Sequence, residues 1–294
     1  MQYSRNNISR SFIALSILVF SIYGCSNKND LSGMPDVLLV GILPDENEVT
    51  LLKRYTPLFE HLSNELNVPY KIKISASYEN LLEQFRKKEI HIAYFGGLTF
   101  TQASHRYNAI PIVMRDIDVR FTSYFISRVN SPAKSIPNFT NTTFCFGSKL
   151  STSGHLMPRF FLKQKNIIPE TFFSHIVYSG SHDKTAYMVR DGTVDIGVAN
   201  SKIIDKMLID GRLNQKDIQI IWETPPYPDY VWALQAGFSQ ATVENIRNAF
   251  LSLSPSVKEH AVILSGVDAG GFLPASSSDF SQLHEIALQT GLLN

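Results

Sequence analysis

From residue 37 onward, short apolar runs alternate with stretches whose apolar residues recur at helical spacing. The run at 37–42 predicts a strand. Leu51, Leu52, Tyr55, Leu58, Phe59, Leu62 and Leu66 then fall on one stripe of a helix over 49–66. Strands at 70–74, 90–95 and 110–114 follow, with helices at 78–88 and 99–107 between them. The second half repeats the theme, with strands near Thr143, Ile176, Val194 and Ile218 and helices between them; C-terminal helices begin near Ser239. Such alternation implies parallel strands joined by crossover helices, so the chain reads as two α/β units. Two longer extended segments, at 121–129 and 230–235, lie where the units would join. The division expected is lobe 1 from 36–122 and 236–294, lobe 2 from 130–228, and a two-stranded hinge at 123–129 and 229–235. In such an arrangement the loops at the strand C-termini of both lobes face one cleft.

The N-terminus has Arg5 and Arg10, an apolar run over 12–23 broken by Ser16 and Ser21, and then Gly24-Cys25-Ser26. The run is shorter than the roughly 20 apolar residues of a membrane-spanning helix. It reads as a signal peptide at 1–24, with cleavage before Cys25 and lipidation of that thiol; a signal peptide cut nearby without lipid is the alternative. Residues 25–35 would be a polar tether. The expected location is periplasmic or on the extracellular face, held by the lipid.

Charge narrows the partners. Without residues 1–24 the chain keeps 25 Lys+Arg against 26 Asp+Glu, and it has no basic run, so nothing points to nucleic acid. With Cys25 lipidated, Cys145 is the one other cysteine, which leaves no intrachain disulfide. Its apolar surroundings suit an inert buried thiol. The histidines lack metal-site spacing, so neither a metal nor a cofactor is expected.

The candidate chemistry begins at Ser151-Thr152-Ser153-Gly154, between a short apolar strand at 144–146 and a helix expected over 155–165. Unpaired N–H groups, the positive dipole end and three hydroxyls meet there, which suits an anion. A helix cap alone would need one hydroxyl. Gly96-Gly97 marks a second helix start where backbone approaches closely, or a tight turn. Ser179-Gly180-Ser181-His182-Asp183 opens another helix, expected over 184–190; Ser181 or Asp183 could cap it, but a cap gives His182 no role. Pro225-Pro226-Tyr227-Pro228-Asp229-Tyr230 is stiff enough for a hinge and leaves Asp229 to be explained. Leu43-Pro44-Asp45-Glu46-Asn47 reads as the start of the long helix rather than as a ligand contact. Together these segments favour a small oxyanion held between two helix N-termini.

In this order, Tyr94-Phe95-Gly96-Gly97, Ser151 to Gly154, Tyr178 to Asp183 and Trp222-Glu223-Thr224-Pro225-Pro226 resemble the phosphate-, phosphite- and phosphonate-type substrate-binding proteins of ABC transporters. The likeness runs from about residue 37 to 293. The longer matches Ser-Thr-Ser-Gly-His-Leu-Met-Pro and Pro-Pro-Tyr-Pro-Asp-Tyr-Val-Trp look most similar to phosphite-binding and putative selenate-binding members. The resemblance implies a type II periplasmic-binding fold. It implies that Ser151, Thr152 and Ser153 hold the oxyanion, that His182 donates to it, that Tyr78 closes the other side, and that Asp229 is a cleft carboxylate. The sequence departs from the binders of amino-alkyl ligands at Lys202, where they have glutamate, and at Phe121, where they have tyrosine. Loss of the glutamate favours a smaller anion without an amine, and Asp229, which would repel an anion that carries no proton, favours the phosphite, phosphonate or phosphate class, with selenate or arsenate next.

Delivery to a membrane permease by a monomeric lipoprotein is the first function expected, and docking of the closed form on a membrane sensor kinase is the second. A hydrolase built on Ser153, His182 and Asp183 or Asp229 lacks a Gly-x-Ser-x-Gly turn and a workable triad order, so no enzyme is expected.

Overall fold

The structure is a computed structural model that describes residues 1–2 and 33–293. The expected signal segment, Cys25 and most of the tether lie outside the described residues. The first lobe opens with β1 (Leu38–Ile42), α1 (Glu48–Leu66), β2 (Tyr70–Ile74), α2 (Tyr78–Arg86), β3 (Ile92–Phe95), α3 (Gly97–Tyr107) and β4 (Ile110–Arg115). The second lobe follows as β5 (Ser123–Arg128), β6 (Thr143–Phe146), α4 (Met157–Gln164), α5 (Pro169–Phe172), β7 (His175–Tyr178), α6 (His182–Arg190), β8 (Ile196–Asn200), α7 (Ser201–Ile209) and β9 (Ile218–Glu223). The chain returns to the first lobe with β10 (Val231–Leu234), α8 (Gln240–Leu251), α9 (Lys258–Gly266), β11 (Phe272–Pro274) and α10 (Ser281–Gln289).

The strands form two sheets, ordered β11-β4-β10-β3-β1-β2 and β7-β6-β8-β5-β9. Within each sheet the strands joined by crossover helices pair in parallel, as β1 does with β2 and β3, and β6 with β7 and β8. In the first sheet β11 pairs antiparallel with β4 at the edge, and each sheet takes an inner antiparallel strand from the segment that arrives from the other lobe. That strand is β10 between β3 and β4, and β5 between β8 and β9.

This exchange moves the crossings. The segments expected as hinge crossovers, 123–129 and 229–235, are for most of their length β5 and β10, with their backbone groups engaged in the sheet ladders. The chain crosses immediately before each of them. There Phe121 and Tyr227 exchange backbone hydrogen bonds of 2.7 and 2.9 Å, and Asp229 N–H donates to Asp118 O at 3.0 Å.

Aromatic packing fills the first lobe around Trp232, whose ring lies 4.8 Å from Tyr94, 5.2 Å from Phe59 and 5.7 Å from Tyr55. In the second lobe Phe125, Phe144, Phe146 and Phe173 pack on one side of the sheet, and Ile126, Cys145, Val189 and Met207 on the other. Burial pushes the Cys145 thiol up to about 11, which suits the inert role expected.

Two helices start earlier than their apolar spacing implied, α3 at Gly97 and α6 at His182. The helix expected over 155–165 is split into a π-helical turn, Thr152–Leu156, and α4. Each change brings a helix start and its polar residues to the cleft.

Candidate functional site

The cleft is built from the loops that leave β1, β3, β6, β7 and β8, together with the return crossing before β10. His182 is the first residue of α6 and is fully buried. Its Nδ1 accepts the backbone N–H of Asn200 at 3.2 Å. An accepting Nδ1 carries no proton, so the neutral ring carries its proton on Nε2. Burial pushes His182 down to about 4, against a smaller opposing effect of Glu46, so the ring is neutral at physiological pH. Nε2 is buried and has no hydrogen-bond partner among the described residues. The Asn200 bond thus fixes the ring as an Nε2 donor.

Asp229 lies on the return crossing and is 1 % exposed. Its Oδ1 accepts the N–H of Gly97, the first residue of α3, at 2.9 Å; Oδ2 is buried and unpartnered among the described residues. Burial pushes this carboxyl up to about 7, against the lowering effects of the Gly97 amide and of the nearby Thr152 and Ser153 hydroxyls. Gly96 explains the close approach, since a Cβ there would lie 3.2 Å from Thr152 Oγ1 and 3.4 Å from Asp229 Oδ1.

The three hydroxyls of 151–153 have three different roles. Ser151 caps the π-helical turn by accepting the Gly154 N–H at 2.9 Å. Thr152 Oγ1 accepts the Leu98 N–H at 2.9 Å, which joins the two lobes. Ser153 Oγ is buried without a partner among the described residues, while its carbonyl accepts from Ser123 Oγ at 2.7 Å. The hydroxyl run is therefore cap, clasp and free donor in sequence. Gly154 keeps the turn tight, because a Cβ there would meet Gly147 Cα and His182 Cε1, each at 3.1 Å. Tyr78, the first residue of α2, is buried beside Ser151, and burial raises its hydroxyl well above the ordinary range, so it stays a neutral donor.

All eight sequence-derived site residues, Tyr78, Gly96, Gly97, Ser151, Thr152, Ser153, His182 and Asp229, are thus placed in one buried interlobe region. Asp45 and Asn200 join them. Asp45, read from sequence as a helix starter, accepts the His182 N–H on its carbonyl at 3.0 Å. Asn200 sets the His182 tautomer and donates through Nδ2 to the Tyr230 hydroxyl at 3.0 Å. An Asn at a strand end is visible in sequence, but its backbone bond to a histidine 18 positions earlier is not. Phe121 is fully buried at the crossing, and Lys202 is exposed on α7. His155 serves the fold, with Nδ1 at 2.7 Å from Lys149 O and Arg159 Nε donating to its Nε2 at 3.1 Å.

The mouth of the cleft is a cavity of about 460 Å³ reached past Tyr78, Ser77, Lys149 and Lys184. A larger cavity, of about 720 Å³, lies beside the crossings and contains none of the eight residues. The buried donors and carboxylate define the site better than cavity size does.

A family model described as the periplasmic substrate-binding protein of phosphonate ABC transporters matches residues 40–280. The chain belongs to this family. It is 33 % identical over 287 residues to the probable ABC transporter phosphite binding protein PhnD1 of Prochlorococcus marinus (strain MIT 9301), covering 94 % of this chain and 95 % of that protein. It is 25 % identical over 250 residues to the phosphonates-binding periplasmic protein of Escherichia coli (strain K12), covering 83 % of this chain and 72 % of that protein. The structure of Prochlorococcus PhnD1 in complex with methylphosphonate matches with a TM-score of 0.83 and 32 % identity, over 88 % of this chain and 99 % of that one. The two lobes, each with its exchanged antiparallel strand, are accordingly a type II periplasmic-binding fold. The protein is a periplasmic component of phosphonate-type transport and not an enzyme. No described helix is long and apolar enough to cross a membrane.

Proposed function

We propose that this binding protein captures a small phosphorus oxyanion that carries a proton, of the phosphite and methylphosphonate type, and delivers it to its permease. The observation that carries this reading is the set of three buried groups that have no hydrogen-bond partner among the described residues: Ser153 Oγ, the His182 Nε2 donor and Asp229 Oδ2. Each such group costs about 1 to 3 kcal/mol when left unpaired, so a ligand that satisfies all three recovers much of the roughly 8 kcal/mol of micromolar binding. Tyr78 and the 151–154 turn would complete the enclosure.

Asp229 supplies the selectivity. A buried carboxylate repels an anion unless one proton lies between them, carried by either partner. Phosphite, methylphosphonate and phosphate can carry it near neutral pH, whereas sulfate and selenate do not. The reading includes a lipid on Cys25 that keeps the protein at the membrane. A thermal-shift screen at pH 7 tests the ligand class, since binding to the native state raises Tm. Phosphite and methylphosphonate are expected to stabilise the protein more than sulfate or selenate, and the reverse order would refute the proposal.

A further inference from the structure

The loop between β1 and α1 does more than start a helix. The Glu46 side chain is fully buried, and its two oxygens face different lobes. Oε2 accepts from Arg54 Nη2 within the first lobe. Oε1 accepts from Arg212 Nη1, in the second lobe after α7, at 2.8 Å. Arg212 is oriented in turn by Asp210, through an Nε contact of 2.9 Å. Next to it, Lys206 on α7 reaches Asp268 of the first lobe at 2.9 Å.

Arg54 has a second face. Its Nε is buried and unpartnered among the described residues, as are Asp45 Oδ1 and the Tyr94 hydroxyl. All three residues line a cavity of about 10 Å³, walled also by Arg115 and Tyr230 of the first lobe and Asn200 of the second. That is about the smallest space that takes a water, which typically makes about three hydrogen bonds to otherwise unsatisfied buried groups. Arg54 Nε donates, Asp45 Oδ1 accepts, and the Tyr94 hydroxyl can do either.

We propose that Arg54 centres an interlobe lock, in which Glu46 captures Arg212 and one buried water joins Arg54 to Asp45 and Tyr94. The lock touches no ligand. Glu46 and Arg212 are positioning residues, and they act on how long the cleft stays closed. Asp45 links the lock to the site, because its carbonyl holds the His182 N–H. Opening the lobes separates Glu46 from Arg212 and lets solvent into the chamber, so the lock contributes to the closed form alone.

The inference rests on the two-lobed binding reading but not on the choice of anion. Stopped-flow dissociation of methylphosphonate is measured for wild type, Arg212→Gln and Glu46→Gln. Losing one partner of a buried charge pair acts mainly on release, so dissociation is expected to quicken by roughly tenfold or more. Association and the ligand-free Tm of Arg212→Gln should stay near wild type, and the double variant should release little faster than either single one. Unchanged release, or a loss confined to association, would overturn the lock. A high-resolution crystal structure of the closed protein decides the remainder whichever anion binds. One water bonded to Arg54, Asp45 and Tyr94 is expected beside an intact Glu46–Arg212 pair; a dry chamber or a separated pair would overturn the proposal. A wild type that binds no methylphosphonate counts instead against the proposed function.

Discussion

Asn200 donates its backbone N–H to Nδ1 of His182 at 3.2 Å, and this one bond decides what the histidine offers the cleft. With Nδ1 occupied as an acceptor, the neutral ring presents Nε2–H, the donor proposed to meet an oxygen of the ligand. Because burial already holds the ring down to about 4, the donor does not depend on protonating the imidazole.

On the proposed reading, replacing His182 removes a hydrogen bond to a charged ligand, a loss of about 1.5 to 3 kcal/mol. Calorimetry of His182→Gln with phosphite should show affinity weakened roughly 10- to 100-fold. In wild type the histidine should add no pH dependence between pH 5 and 8. A pronounced gain in affinity on acidifying through pH 6.5 that disappears in His182→Gln would contradict the neutral-donor assignment.

The carboxyls give the opposite sign. Asp45 and Asp229 are each held up to about 7 by burial, whereas an aspartate in the unfolded chain titrates at about 4. Between those values the closed fold holds protons that the unfolded chain has lost, so these residues make stability fall as pH rises from about 4 to about 7, and contribute no further slope above that. Thermal unfolding across this range of the protein held closed by saturating methylphosphonate should show a shallower fall in Asp229→Asn than in wild type. Equal slopes would mean that Asp229 ionises in the fold as it does in water.

Gly154 is the backbone counterpart of these side chains. A Cβ at this position meets the Gly147 backbone and the His182 ring, each at 3.1 Å, and the backbone cannot rotate away as a side chain can. Gly154→Ala should lower stability by about 1 to 3 kcal/mol, the usual cost of overpacking, and should weaken phosphite binding by displacing His182. Denaturant unfolding and calorimetry on the same preparation would read both effects. A variant with wild-type affinity would show that the turn has room to give.

Much of this architecture was legible because periodicity is a property of the chain itself. The stripe from Leu51 to Leu66 became α1, and the apolar run at 70–74 became β2 with the expected bounds. Long-range pairing was harder to read. The segments 123–129 and 229–235 were recognisable as extended, but which sheet would adopt them is a tertiary matter, and they became β5 and β10. The site divides in the same way. His182 and Asp229 stood out because neither a cap nor a hinge explained them. The distinct roles of Ser151, Thr152 and Ser153 depend on partners at Gly154, Leu98 and Ser123, and only folding brings the last two into place.

The central claim is that Asp229 Oδ2 and the ligand share one proton, and substitution by asparagine tests it most directly. The amide keeps an oxygen for the Gly97 N–H and puts an N–H donor where the carboxylate oxygen was, which a fully deprotonated anion can use. Calorimetry at pH 7 with phosphite and selenate, on wild type and Asp229→Asn side by side, reads the outcome. The account predicts that wild type prefers phosphite and that Asp229→Asn loses phosphite affinity and gains selenate affinity. The same phosphite-to-selenate ratio in both proteins, or a wild type that prefers selenate, would contradict it.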